Sequence, residues 1–156
     1  MKALILAGGR GSRLNELTEG KNKSMIKLFE KPLIEYNLEQ AIEAGVKEII
    51  IVVGYKGEEI KRAIGNEYKG VNVKYVLQKE QKGVVNAIEY AKQAIGNSDF
   101  IMLMADEIIT NPKMKEMLRD FKKKNLFASC GIVLEEDKRS IGKTYNVMVN
   151  EKKRIF

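Results

Sequence analysis

Apolar and polar positions along the chain follow two different periods, one typical of strands and the other of helices. Short, nearly continuous apolar runs predict buried strands, and apolar residues spaced three and four apart predict amphipathic helices. The predicted strands span residues 3–7, 48–53, 71–77, 99–104, 126–134 and 145–149. The predicted helices span residues 33–44, 56–64, 84–95 and 111–124. Strands and helices therefore alternate over most of the chain.

This alternation predicts the fold class. Strands joined by helices form right-handed βαβ units, which build a mostly parallel sheet. The segment Glu48–Val53 is apolar at nearly every position, as in a strand covered on both faces. We therefore predict an α/β, three-layer, Rossmann-like domain over residues 1–156, with helices on both faces of the sheet. Ligands in such folds bind beyond the carboxyl ends of the strands.

The composition is that of a globular protein. Of 156 residues, 44% are hydrophobic and 31% are charged, which is typical of soluble domains. No apolar run is long enough to span a membrane, and Met1-Lys2 leads into the first strand without a signal-peptide pattern. The single cysteine, Cys130, lies in an apolar stretch that predicts a core position. We expect a cytoplasmic protein with no membrane partner.

The chain contains no histidine. This removes the commonest general base and the commonest transition-metal ligand, so zinc chemistry and histidine-dependent nucleophiles are excluded. Any catalysis must use carboxylates, lysines, arginines and backbone groups. Phosphoryl-type transfer can do so, because it relies mainly on positioning and charge neutralisation.

The net charge is +7, from 28 basic and 21 acidic residues. A basic surface suits polyanionic ligands such as nucleotides or nucleic acids. The densest basic run, residues 119–124, alternates with apolar positions on a predicted helix and is typical of a solvated face. The chain lacks the interleaved aromatic and basic residues of an RNA-binding signature. We therefore expect no nucleic-acid partner.

A glycine-rich segment, Gly8-Gly9-Arg10-Gly11-Ser12-Arg13, follows the first strand. Glycines allow several backbone N–H groups to point into one concavity, and arginines add charge for phosphate oxygens. The segment is not a Walker A loop, because no Gly-Lys-Ser/Thr follows, and Leu14 replaces the third glycine of the dinucleotide fingerprint. Taken alone, it fits a phosphate loop or an ordinary strand-to-loop turn.

The residues that follow distinguish these alternatives. The stretch from Leu6 to Lys23, with Lys31-Pro32 after it, resembles the signature of the sugar-phosphate nucleotidylyltransferases, which include the glucose-1-phosphate thymidylyltransferases. Ser12 keeps the hydroxyl of the family threonine. Glu16 and Asn22 stand where the family usually has proline, and we expect both to loosen the loop. The resemblance covers nearly the whole chain and implies the GT-A-like variant of the Rossmann-like fold.

The resemblance also implies the roles of the loop residues. Arg13 would hold the β- and γ-phosphates and stabilise the departing pyrophosphate, and Lys23 would neutralise the α-phosphate. By themselves, Arg13 also fits a surface arginine and Lys23 one of several loop lysines. The implied nucleotide-binding residues are Leu6, Ala7, Gly8, Gly9, Gly11, Ser12, Arg13, Lys23, Gln78 and Gly83. The implied catalytic residues are Arg13, Lys23 and Asp106.

Two further candidates follow predicted strands. Gln78 ends the third strand and Gly83 lies five residues on. The side-chain amide suits the edge of a nucleobase, but taken alone Gln78 also fits a surface loop. Asp106 follows the strand over residues 99–104, where a carboxylate suits Mg²⁺ or a turn cap. The resemblance implies that Gln78 and Gly83 contact the base and that Asp106 binds the metal.

Residues toward the end of the chain point to the acceptor. Tyr145-Asn146-Val147 resembles the family's sugar-contacting Tyr-Gly-Val, so Tyr145 and Asn146 are the acceptor-binding candidates. The family pattern continues past residue 156, so we expect the chain to hold the nucleotide-binding portion and to lack the acceptor-binding part.

The implied activity is transfer of a nucleoside monophosphate from a nucleoside triphosphate to a sugar 1-phosphate, with release of pyrophosphate. This would place the chain in sugar-nucleotide biosynthesis as a magnesium-dependent enzyme. Gln78 with Gly83 favours dTTP or UTP as the donor. The alternative is a catalytically inactive nucleotide-binding or regulatory module of the same fold. A nucleic-acid binder rests on charge alone. The sequence leaves the oligomeric state open, and a homo-oligomer is among the states it allows.

Overall fold

The computed structural model describes residues 1–9 and 21–132. The chain divides into two compact units, Met1–Leu118 and Arg119–Phe156. The first unit contains the sheet and its covering helices. The described part of the second unit, residues 119–132, contains the end of helix 114–123 and a stretch of turns and irregular backbone.

The elements alternate as the hydrophobic pattern predicts. The strands are β1 (Lys2–Ala7), β2 (Lys27–Leu28), β3 (Lys31–Pro32), β4 (Glu48–Val53), β5 (Glu67–Tyr68), β6 (Val71–Leu77) and β7 (Phe100–Met104). The helices are α1 (Leu33–Glu43), α2 (Gly57–Ile64), α3 (Val84–Ile95) and α4 (Met114–Lys123). A short 3-10 turn spans Lys23–Met25.

Four parallel strands form the body of a five-stranded sheet in the order β5-β6-β4-β1-β7. Strand β1 pairs with β4 on one side and with β7 on the other, and β5 runs antiparallel to β6 at the edge of this sheet. The chain leaves β1 toward β4 and later returns to the opposite side as β7. The direction of winding therefore reverses between β1 and β7, and such a switch point is where open α/β sheets bind ligands.

Helices cover both faces of the sheet. On one face, alternate strand residues such as Ile5 and Ile51 pack with Leu38 of α1 and Ile60 of α2. On the other face, Leu4, Leu6, Ile50 and Val52 pack with Ala87, Ala91 and Ile95 of α3. The three-layer α/β arrangement is the predicted one, and β4 is apolar throughout because both of its faces are buried.

The helix boundaries differ slightly from the prediction. Helix α4 begins at Met114 rather than at residue 111. Asn111 has a positive φ of 52°, which lies outside the helical region, and the following Pro112 fixes its own φ and lacks an N–H. Among the described residues, no helix is long and apolar enough to cross a membrane.

Two predictions beyond α4 are wrong. Residues 126–132 of the strand predicted over 126–134 form no strand, because apolar composition yields a strand only where a neighbour supplies a hydrogen-bonded ladder. Cys130 is an exposed free thiol rather than a core residue. Residues 133–134 and the strand predicted over 145–149 lie outside the described residues.

Candidate functional site

The carboxyl ends of the four parallel strands lie along one edge of the sheet. Gly8 follows β1, Gly54 follows β4, Gln78 follows β6, and Asp106 follows β7 after one intervening residue. The registers Ala7↔Val53 and Val53↔Leu77 align three of these ends. The backbone N–H of Ala105 donates to the carbonyl of Leu6 at 3.1 Å. This bond aligns the end of the fourth strand, β7, with the end of β1. The candidates therefore converge as the fold requires.

The loops after β1 and β4 approach closely enough that only glycine fits between them. A Cβ on Gly54 would lie 2.6 Å from the carbonyl oxygen of Gly8 and 3.1 Å from its Cα. A Cβ on Gly8 would lie 2.6 Å from the Oε1 of Gln78. The glycines thus bring the first loop against the base-contact candidate, a packing role that the sequence pattern alone does not reveal.

Gln78 is buried, with 5% of its surface exposed, so the surface-loop alternative is wrong. Its Nε2 donates to Asn86 Oδ1 at 2.9 Å and to the carbonyl of Gly83 at 3.3 Å. The side chain therefore joins the end of β6 to the start of α3. Gly83 has a φ of +94°, in the region that favours glycine.

Lys23 and Asp106 form an ion pair at the switch point between β1 and β7. Lys23 Nζ lies 2.6 Å from Asp106 Oδ2, and each side chain is about 30% exposed (30% and 29%). These two residues are 83 positions apart in the chain, and the topology brings them together. The pair is partly open to solvent, so its partners remain accessible to a phosphate or a cation.

The loop that carries Asp106 is fixed from α1. Asn37, which is 1% exposed, donates from Nδ2 to the carbonyl of Glu107 at 3.0 Å. Gln40, one turn further along the helix, donates from Nε2 to the carbonyl of Ile109 at 2.7 Å. Two amide side chains on one helix therefore hold the segment immediately after the candidate metal ligand.

Asn22 contradicts the expectation of a loosened loop. It is 1% exposed, and its Nδ2 donates to the carbonyls of Tyr55 at 2.7 Å and Ala7 at 3.3 Å. Proline has neither this amide nor a backbone N–H, so asparagine adds contacts here that proline lacks. Glu16, the other expected source of looseness, lies outside the described residues.

The donor set near Asp106 fits a hard cation shared with a substrate. No group of three or more histidine, cysteine, aspartate or glutamate residues that could hold a metal occurs in the described part of the chain. Mg²⁺ commonly takes one or two carboxylates together with substrate phosphates and water. The Asp106 carboxylate, just past the end of β7, therefore suits Mg²⁺ that arrives with a nucleotide, and does not suit a metal held by protein alone.

The remaining candidates fall into two groups. The side chains of Leu6 and Ala7 are buried, so these residues offer only backbone groups, whereas Gly9 is exposed. Residues that lie outside the described ranges are Gly11, Ser12, Arg13, Tyr145 and Asn146.

Sequence reasoning missed the supporting roles of Asn22, Asn37 and Glu59. Glu59 Oε2 accepts a hydrogen bond from the backbone N–H of Asn22 at 3.0 Å. Asn37 carries a usable signal, because it lies on the apolar face of α1 between Ile34 and Leu38, where a polar residue requires a specific hydrogen-bond partner. Asn22 and Glu59 lie among polar residues, and no periodicity distinguishes them.

Comparison with known proteins assigns the family. The family model described as nucleotidyl transferase matches residues 2–153. The chain belongs to the nucleotidyl transferase family. This agrees with the resemblance carried by Leu6 to Lys23, and it assigns the glycine-rich segment to a family that acts on nucleotides.

Curated members of the nucleotidyl transferase family match over most of this chain. The chain is 35% identical over 139 residues to the low-salt glycan biosynthesis nucleotidyltransferase of Haloferax volcanii, covering 87% of this chain and 38% of that protein. It is 32% identical over 143 residues to the glucose-1-phosphate thymidylyltransferase of Streptomyces griseus, covering 91% and 40%. The chain thus spans about two-fifths of the length of these relatives.

Solved structures of the family share the fold. A UDP-glucose pyrophosphorylase complexed with UDP-glucose aligns with a TM-score of 0.72 at 28% identity, covering 80% of this chain and 54% of that one. A putative glucose-1-phosphate thymidylyltransferase from Bacillus anthracis aligns with a TM-score of 0.74 at 25% identity, covering 79% and 50%. The Rossmann-like fold predicted from the sequence is confirmed.

Proposed function

We propose that this chain carries the nucleotide-binding part of a sugar-phosphate nucleotidylyltransferase. In the proposed reaction, a phosphate oxygen of a sugar 1-phosphate attacks the α-phosphorus of a nucleoside triphosphate. A new P–O bond forms, the bond from the α-phosphorus to the bridging oxygen breaks, and pyrophosphate leaves. No general base is needed, because the attacking phosphate is already ionised.

One observation carries the proposal: the Lys23–Asp106 pair lies at the switch point between β1 and β7. It sets an ammonium and a carboxylate 2.6 Å apart where ligands of open α/β sheets bind. In our proposal the Lys23 ammonium moves onto an α-phosphate oxygen when the triphosphate enters, because the triphosphate as a whole carries more negative charge than one carboxylate. Asp106 then loses the Lys23 ammonium as its partner, and its carboxylate becomes free to bind Mg²⁺.

The other groups of the loop position the triphosphate. Backbone N–H groups of Gly8, Gly9, Gly11 and Ser12 would donate to phosphate oxygens, as successive N–H groups of such loops do. The proposed role of Arg13 is to bind the β- and γ-phosphates and to neutralise charge on the leaving pyrophosphate. Leu6 and Ala7 would contribute only backbone, because their side chains are buried.

Asp106 is the proposed Mg²⁺ ligand. When bound, Mg²⁺ would offset the negative charge that develops on the phosphate groups. The backbone next to Asp106 is held without the cation, because Asn37 Nδ2 donates to the carbonyl of the neighbouring Glu107.

Gln78 and Gly83 are the proposed base contacts. The Nε2 of Gln78 donates to Asn86 and Gly83 within the protein, so its oxygen is the group suited to a base. An oxygen acceptor matches the N3–H of thymine or uracil, whereas cytosine has no hydrogen at N3. We therefore propose dTTP or UTP as the donor.

The acceptor and the cellular setting complete the proposal. Tyr145 and Asn146 are the proposed contacts to the sugar phosphate. A cytoplasmic location agrees with the free thiol of Cys130. Nucleic acids and membranes are not among the proposed partners.

Calorimetric titration of the chain with each nucleoside triphosphate, with and without Mg²⁺, tests the proposal. We expect Mg²⁺-dependent binding that is at least about tenfold tighter for dTTP or UTP than for the purine nucleotides, which corresponds to a difference of about 1.4 kcal/mol. The Asp106→Asn variant is the matched control, because it keeps the shape of the side chain and removes its charge. It should lose the Mg²⁺-dependent gain and retain the Mg²⁺-independent binding.

The outcomes separate enzyme from binding module. Failure of every triphosphate to bind would refute the nucleotide site. Mg²⁺-dependent binding by the Asp106→Asn variant equal to that of the wild type would refute the role of Asp106. Selective binding without pyrophosphate release, when sugar 1-phosphates are supplied, would favour a nucleotide-binding or regulatory module over an enzyme.

A further inference from the structure

The residue immediately before Lys23 connects three parts of the fold. Asn22 Nδ2 donates to the carbonyl of Ala7 at the end of β1 and to the carbonyl of Tyr55 in the loop after β4. The backbone N–H of Asn22 donates to Glu59 Oε2 on α2 at 3.0 Å. One residue thus ties the start of the 3-10 turn to β1, to the β4–α2 loop and to α2.

Asn22 also fixes the turn that carries Lys23. Its Oδ1 accepts from the backbone N–H of Ser24 at 3.0 Å and from the Ser24 hydroxyl at 2.6 Å. These contacts cap the turn Lys23–Met25 from the residue before it. Both Asn22 and Ser24 are buried, at 1% and 2% exposed, so water cannot replace the lost partners at low cost if one is removed.

Lys23 lies between these two buried residues. Its side chain is 30% exposed and reaches outward to Asp106. A lysine side chain has several rotatable bonds, and a partly exposed ion pair by itself contributes little energy to restrain them. The direction in which Lys23 leaves the backbone therefore depends on the backbone at Asn22.

We propose that Asn22, held by Glu59, is a positioning residue that directs the Lys23 ammonium to Asp106. The consequence for catalysis rests on the proposed function: the same contacts would direct Lys23 to the α-phosphate of a bound nucleotide. Asn22 itself touches no reacting atom in this scheme. It acts only through the backbone of Lys23.

Chemical labelling tests the positioning without any nucleotide. Mild reductive methylation, followed by mass spectrometry, reports the rate at which each lysine reacts. Lys23 should react several-fold more slowly than Lys21, an exposed lysine on the same segment, because the Lys23 ammonium is engaged by Asp106. In Asn22→Ala the Lys23 rate should rise toward the Lys21 rate, and the Lys21 rate should not change.

Variants of Glu59 provide a graded control. Glu59→Ala removes the acceptor for the Asn22 N–H and should also raise the Lys23 rate. Glu59→Gln keeps a carbonyl oxygen that can accept the same bond and should restore slow labelling. Wild-type labelling of Lys23 in Asn22→Ala would overturn the proposal, because Lys23 would then hold its place without Asn22.

A double-mutant cycle on nucleotide affinity tests the consequence. If Asn22 acts through Lys23, then Asn22→Ala and Lys23→Met should each weaken Mg²⁺–nucleotide binding by about tenfold, and together by no more than Lys23→Met alone. A merely structural role would instead multiply the two losses. Ile64→Val, a core truncation on the same helix as Glu59, controls for general destabilisation and should leave the affinity unchanged.

The labelling experiment and the nucleotide-affinity cycle test the positioning role and the proposed function separately. If labelling responds to Asn22→Ala but the wild type binds no nucleotide, the positioning stands and the proposed function falls. If nucleotides bind and the losses multiply, the proposed function stands and the role of Asn22 in binding falls.

Discussion

At the scale of single residues, the site depends on contacts that leave no room for a side chain. Gly8 and Gly54 face each other across the ends of β1 and β4, and an added Cβ on Gly54 meets backbone atoms of Gly8. Backbone atoms cannot rotate away as the end of a side chain can. By contrast, a Cβ added to Gly9 has no heavy atom within 4 Å. Gly54 therefore has no space for a side chain, whereas Gly9 has space for one.

Gly54→Ala should destabilise the protein, because the new methyl group forces the β1 and β4 loops apart. Overpacking of this kind costs about 1–3 kcal/mol. Urea unfolding at neutral pH measures the change. Gly9→Ala is the matched control and should change the unfolding free energy by no more than about 0.5 kcal/mol. Equal effects of the two variants would contradict this account.

The sequence predicted which residues follow the strands, and the parallel topology places those residues along one edge of the sheet. Gln78 and Asp106 follow apolar runs, so their placement at one sheet edge could be inferred. The buried state of Gln78 and the contacts of Asn22 could not be inferred, because they depend on how closely separate loops approach. Expecting Asn22 to loosen its loop was wrong for this reason: a polar residue is loose only if nothing nearby accepts or donates a hydrogen bond.

At the scale of elements, a charge network joins the three strands β1, β4 and β6 near their amino ends. Glu48 of β4 lies 2.7 Å from Lys74 of β6 and 3.0 Å from Lys2 of β1. Lys2 also donates to the carbonyl of Ala94 at the end of α3. Hydrogen bonds from Lys74 and then Lys2 lower the pKa of the Glu48 carboxyl below its usual 4.5. The carboxylate form therefore stabilises the folded state.

This network predicts a pH dependence with a definite sign. A lowered pKa in the folded state means that the contribution of Glu48 is present above pH 4.5 and is lost as the pH falls through the lower, folded-state value. Glu48→Gln should therefore lower the unfolding free energy at pH 7, by at most about 1 kcal/mol because Lys74 is half exposed. Urea unfolding at pH 7 and pH 3 measures the difference, which should shrink at pH 3. A difference that grows in acid would refute the assignment.

The long elements were predictable and the short ones were not. Strands such as β4 and helices such as α3 match their predicted bounds because burial of a face imposes a period on the sequence. The strands β2, β3 and β5 have two residues each, too few to show any period. The prediction for residues 126–132 was wrong for the opposite reason: their apolar composition resembles that of a strand, but they form none, and Phe127 is fully exposed.

At the scale of the whole molecule, the net charge of +7 does not come from a patch of unpaired lysines alone, because many lysines are paired with carboxylates. Many lysines in the described part of the chain lie within 4 Å of a carboxylate, as Lys31 and Lys69 do at Glu39 and Lys61 does at Glu58. Local pairing of this kind reduces the field that a long polyanion would encounter. The excess charge is therefore expected to favour small anions at a defined site.

We expect only weak, non-specific binding to a single-stranded oligonucleotide. Fluorescence anisotropy should detect binding at low salt and lose it near 150 mM salt, because contacts to phosphate backbones weaken steeply as salt rises. The affinity for the preferred nucleoside triphosphate should change much less over the same range. Oligonucleotide binding that persists at 150 mM salt would revive the nucleic-acid hypothesis.

The position of β1 between β4 and β7 has a consequence for how the protein is made. Lys2 of β1 pairs with Phe100 of β7, so β1 must wait until residues 100–104 have been synthesised before its second neighbour exists. Pairings between such distant residues form slowly, because loop closure must be paid for before the contacts can stabilise it. Until then, a growing chain displays an uncovered edge of β1, with Leu4 and Ile5 in it, to other nascent chains. Folding yield in the cell should therefore depend on the speed of translation through residues 100–104 as well as on the final stability.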